Sequence, residues 1–158
     1  MTSDAKLTER EFHQEMAVGL FNEVWRLLKK SSRSLEEDDR MVHAAHASRF
    51  HWEIVGNEQN LAIGEWQIAR VYSVLQRTEP ALHHARRCLA ICEANNIGGF
   101  YLASAYEGLA RALAGNVDSS FLEYVRRAKQ IAEDVVDASD QAILLADLED
   151  IRCPTQFR

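Results

Sequence analysis

The chain has 158 residues, a formal net charge of -6 and 47% hydrophobic residues. That is enough apolar material for one proper core and too much for a disordered acidic tail. Three Cys cannot staple a disulfide-built miniprotein, and the acidic balance argues against a nucleic-acid surface.

The opening segment, MTSDAKLTEREFHQEM, alternates charge and polarity where a signal peptide would carry an apolar stretch. No segment approaches the roughly 18 consecutive apolar residues of a membrane span. A cytoplasmic protein with reduced thiols is the expectation.

Helix punctuation is dense and strand signals are nearly absent. Thr8-Glu9-Arg10-Glu11 fits a capping box, and Phe12, Met16, Leu20, Val24 and Leu28 then recur every four residues. This first helix ends near Lys29-Lys30. Ser34-Leu35-Glu36-Glu37 is a second box, opening a helix to about Val55 with Gly56-Asn57 as its stop. The face of Met41, Ala45, Trp52 and Val55 and a second face of Ala47, Phe50 and Ile54 predict wide burial for it.

A third helix is expected from about Glu58 to Gln76. Thr78-Glu79-Pro80 opens a fourth, which Asn95-Asn96 and Gly98-Gly99 end. Leu102, Leu109 and Leu113 mark a fifth, closed by Gly115-Asn116. Asp118 is placed as the cap of a sixth, and a seventh is expected from about Ser139 to Ile151. Seven antiparallel helices with short connections make an all-α domain over residues 1–153, followed by a short tail, 154–158.

The third and fourth helices are echoed by the fifth and sixth. Ile68-Ala69-Arg70 matches Leu109-Ala110-Arg111 at a spacing of 41, and Ala85-Arg86-Arg87 matches Val125-Arg126-Arg127 at 40. A period near 40 holding two helices indicates a helix-hairpin stack rather than a closed bundle. Ile68, Ala69, Tyr72, Ala81, Cys88 and Leu89 fit a large, small, aromatic, small, small, large packing pattern. In these residues, over about Leu61 to Val136, the chain resembles a tetratricopeptide-repeat (TPR) protein.

The resemblance implies a right-handed superhelix whose groove holds a protein or peptide partner. It places Ile63, Trp66, Arg70 and Ser73 of the third helix, and Ser104, Glu107 and Arg111 of the fifth, toward that groove. Arg70 and Arg111 would offer two guanidinium forks suited to carboxylates, and Trp66 an apolar anchor. The family's Lys/Asn carboxylate clamp is missing. The plainer reading makes both Arg solvated residues paired with Glu65 and Glu107.

His43, His46 and His51 crowd the second helix. His43 and His46 are three apart and could share a transition metal, with His13, Glu9 or Glu65 as further ligands, whereas His51 points away. The plainer reading has them edging a polar stripe. Cys88 and Cys92 read as packed thiols, and Cys153 as an exposed one. With no nucleophile elbow, phosphate loop or catalytic triad order, no enzyme activity and no cofactor are expected. The expectation is a scaffold that binds a protein or peptide. Two alternatives stand beside it: a metal-binding bundle at His43 and His46, and a homodimer burying Phe21 and Trp25 of the first helix.

Overall fold

The computed structural model describes residues 6–154. Its regular structure is helical, with no strand among the described residues. The seven helices are α1 (Glu9–Leu28), α2 (Leu35–Val55), α3 (Glu58–Val74), α4 (Thr78–Ala94), α5 (Gly99–Gly115), α6 (Phe121–Ala132) and α7 (Ala138–Glu149). None is long and apolar enough to cross a membrane.

The starts of α1 and α2 are reciprocal capping boxes, Thr8 with Glu11 and Ser34 with Glu37. Asn57 and Asn60 make a third at α3, with amides in both roles. Each such cap is worth about 1 kcal/mol, because it satisfies backbone N–H groups that have no partner inside the helix. Asp118 does not cap α6. Its carboxylate accepts from the Ser120 N–H in the turn ahead, and the helix begins only at Phe121. The carboxylate that caps a helix is instead Asp137, at α7, accepting from Ser139 and Asp140. Helix α3 stops at Val74, two residues early, because Gln76 turns left-handed at φ 57.

Three hairpins, α1–α2, α3–α4 and α5–α6, carry the heaviest packing. They stack through α2 on α3 and α4 on α5, while α3 runs beside α5 and α7 rests on α5 and α6. The odd-numbered helices therefore share one face. Small residues set the spacing: Ala69, Ala81, Ala110 and Ala128 are all fully buried. Without bulky side chains at these crossings, the helix backbones can approach closely.

Two expectations on burial are corrected. Phe50 and Ile54 of α2 are 59% and 47% exposed, since that helix packs mainly on α1 and α3 and these two side chains lie outside the buried clusters that it shares with them. Cys153 is buried at 7% exposure, because the chain past α7 folds back with Ile151 onto the α5–α6 core. The tail beyond Pro154 lies outside the described residues.

Candidate functional site

Helices α3 and α5 begin 41 residues apart, at Glu58 and Gly99. Trp66 and Glu107 are thus equivalent positions of neighbouring hairpins, as are Arg70 and Arg111. The stack brings all four together. Trp66 Nε1 donates to Glu107 Oε2 at 2.8 Å, while Arg70 Nη2 and Arg111 Nε donate to Oε1 at 3.1 and 2.7 Å. Gly108 makes the approach feasible, since a Cβ there would stand 2.9 Å from Trp66 Cδ1. The Arg70 guanidinium also lies over the Trp66 ring, 5.1 Å from its centroid.

Glu107 is only 1% exposed. Burial pushes its carboxyl up, but the charges of Arg70 and Arg111 and the bonds from Trp66 and Arg111 outweigh that and hold it below the ordinary carboxylate range. Helix α7 completes the lattice. Arg70 reaches Asp147 at 3.1 Å, and Arg111 reaches Asp150 at 3.2 Å and the Asp147 carbonyl at 2.8 Å. Asp147 titrates above its ordinary value: burial raises it, Glu107 adds repulsion, and the pull of Arg70 and Arg111 does not cancel them.

The two guanidiniums are therefore largely buried and hold carboxylates of their own chain. Arg70 pairs with Glu107 and Asp147, and not with Glu65. Ser73 lies further along α3. Its Oγ and the Nε of Arg70 are buried with no hydrogen-bond partner. Ser73 and Arg111 line a recess of about 330 Å³, together with Val74, Thr78, Ala81 and Arg152.

At the opposite end of the same face lies an apolar recess of about 410 Å³. Val18, Phe21 and Trp25 of α1, Trp52 of α2, Ile63 and Trp66 of α3, Phe100 and Tyr101 of α5 and Ile143 of α7 line it. Trp25 leans on Trp66 with ring centroids 5.6 Å apart, and Phe21 meets Trp25 edge-on. The aromatics of α1 thus face this recess within the monomer. All three tryptophans of the chain line it. Trp66 joins the recess to the ion lattice.

The histidines fall elsewhere. His46 Nε2 lies 3.0 Å from Tyr72 Oη and beside the His84 ring; burial, then the nearby His84 charge, lowers its pKa. His43 is exposed. Glu65, 3% exposed, is the hub of this side, taking His84 Nδ1 at 2.7 Å, Arg87 Nε at 3.1 Å and Arg49 Nε at 3.2 Å. Gly64 lets Arg49 lie across α3, since a Cβ there would stand 2.9 Å from Arg49 Cδ. His51 pairs with His13 of α1, Nδ1 to Nδ1 at 2.7 Å. Among the described residues no three His, Cys, Asp or Glu groups converge as metal ligands. Cys88 and Cys92 are buried side by side; the hydrogen bond between them pushes the Cys88 thiol up and the Cys92 thiol down.

Sequence reasoning did not find Asp147 and Asp150, which no spacing links to α3, nor the hub role of Glu65. Of the recess aromatics, Phe21 and Trp25 read in the sequence as a face for a second copy, and Phe100 and Tyr101 lie outside the apolar pattern of the fifth helix. No family model matches the chain, and neither a curated protein nor a solved structure shows significant similarity to it.

Proposed function

We propose that the protein is a non-enzymatic scaffold of the tetratricopeptide kind, binding a protein or peptide partner along the face of its odd-numbered helices. The observation that carries this is the aromatic recess, where three tryptophans, two phenylalanines and a tyrosine surround about 410 Å³. Open apolar hollows of this size with a polar margin are where large anchor side chains of partners are held. Trp66 forms part of the wall, and Glu107 fixes its indole by a hydrogen bond, so the hollow is pre-shaped.

In this reading Arg70, Glu107 and Arg111 act mainly from behind. They lock α3, α5 and α7 together and aim Trp66, while Ser73 and Arg111 also border the second recess of this face, where the partner continues. The partner is a peptide segment with a large aromatic or aliphatic anchor for the recess and polar groups beyond it.

Selection from a random linear peptide library on the immobilised protein tests this, with the Val18→Lys/Ile143→Lys variant as counter-target. Both side chains line the recess while being 41% and 51% exposed, so the change adds charge without opening the core. Enrichment of aromatic or large aliphatic anchors on the wild type alone is expected. Equal enrichment on both proteins, or none, would refute the assignment.

A further inference from the structure

The closest approach of two imidazoles is at the other edge of the α1–α2 hairpin. His13 and His51 face each other with Nδ1 atoms 2.7 Å apart and rings inclined by 48°. Both side chains are half-buried. Phe12 stands edge-on to both rings and Phe50 to His51, which fixes where the imidazoles point. As a simple hydrogen bond this pair holds one proton between two lone pairs, so one Nδ1 must donate and the other accept.

We propose that His13 and His51 form a two-imidazole site for a divalent first-row transition-metal ion that clips α1 to α2. Two imidazole nitrogens at roughly 2.0–2.1 Å from a tetrahedral ion stand about 3.3 Å apart. The pair needs to open by about 0.6 Å to reach that separation. Neutral imidazole is the ligand this ion class prefers. Water completes the coordination on the exposed side.

The other histidine nitrogens in contact are differently engaged: His84 Nδ1 on the buried Glu65, and His46 Nε2 on Tyr72. His13 and His51 place two ring nitrogens within hydrogen-bond distance of each other from two helices. The ion would make the hairpin edge more rigid without touching the aromatic recess, so this inference is independent of the partner-binding reading.

Calorimetric titration of the untagged full chain with Zn²⁺ and Ni²⁺ tests it. One equivalent should bind to the wild type, His13→Gln and His51→Gln should each weaken it at least tenfold, and His46→Gln should leave it unchanged. At a hundredfold excess over Kd the thermal midpoint should rise by roughly 5–10 °C. Should either variant lose its helicity, imidazole ¹⁵N spectra of the wild type give the answer, with the Nδ1 signals of His13 and His51 moving together on Zn²⁺ addition. No binding, binding indifferent to both substitutions, or shifts confined to the other histidines would overturn the site.

Discussion

Trp66 and Glu107 are 41 residues apart in the chain and 2.8 Å apart in space, the indole N–H donating to a carboxylate that is 1% exposed. Equivalent positions of adjacent hairpins have taken complementary roles, one apolar and one acidic. Arg70 and Arg111, the next equivalent pair, close the lattice from the same side. The lattice thus couples the packing of the stack to the shape of its aromatic recess.

Removing the charge at its centre should be severe. Glu107→Gln leaves Arg70 and Arg111 buried without their shared carboxylate, and loss of one partner in such a site costs about 3–5 kcal/mol. Denaturant unfolding followed by circular dichroism measures it. A loss under 1 kcal/mol would mean that the two guanidiniums find other partners.

Asp147→Asn should behave differently. Its carboxyl is raised by burial, so holding its charge costs more in the folded protein than in the unfolded chain, and an amide oxygen can still accept from Arg70. Stability at pH 7 should stay within about 1 kcal/mol of wild type. A loss near that of Glu107→Gln would show that Asp147 carries the lattice charge instead.

The two groups also give opposite pH dependence. Glu107 and Glu65 titrate below the usual 4.5 when folded, so their stabilisation is present above that value and lost as pH falls through the folded pKa. Asp147, raised, contributes stability at low pH that disappears as pH rises through its folded value. Unfolding free energy should fall below about pH 4.5, and the slope should flatten in Glu107→Gln. An unchanged slope would contradict the assignment.

Much of the architecture was legible in the chain, and for identifiable reasons. The Thr8 and Ser34 boxes and the Gly56-Asn57 stop are local signals, so the boundaries they predict match closely. The 41-residue echo of Ile68-Ala69-Arg70 in Leu109-Ala110-Arg111 reports which helices run side by side. What was hidden depends on third partners. The sequence offered Arg70 and Arg111 as forks for a ligand, but Asp147 and Asp150 reach them from a helix whose own pattern shows no tie to α3. Cys153 looked exposed because nothing local signals that the chain folds back after α7.

Two glycines should separate rigid from yielding contacts. Gly108→Ala sets a methyl 2.9 Å from the Trp66 ring, which the lattice holds in place, and overpacking of that kind costs about 1–3 kcal/mol. Gly64→Ala meets the Arg49 stem at 2.9 Å, a chain that can shift, while alanine gains helix propensity. Thermal melts should therefore rank Gly64→Ala above Gly108→Ala. The reverse order would mean that Trp66 moves freely.

Val117 offers a gain. It is a β-branched residue held at φ 57 and half exposed, so glycine at this position should relieve about 1 kcal/mol. A raised melting midpoint in Val117→Gly is expected, and a fall would show that its side chain contributes more than the backbone strain costs.

The central claim is that a partner seats its anchor in the aromatic recess, which all three tryptophans line. The most direct measurement is a ¹H–¹⁵N spectrum of the indole N–H groups during titration with a peptide selected on the wild type. Signals of Trp25, Trp52 and Trp66 should shift together, saturating at one equivalent, while backbone amides of the solvent side of α6 stay in place. Indole signals that do not move while amides of α4 or α6 shift would put the partner on the other face and contradict the account.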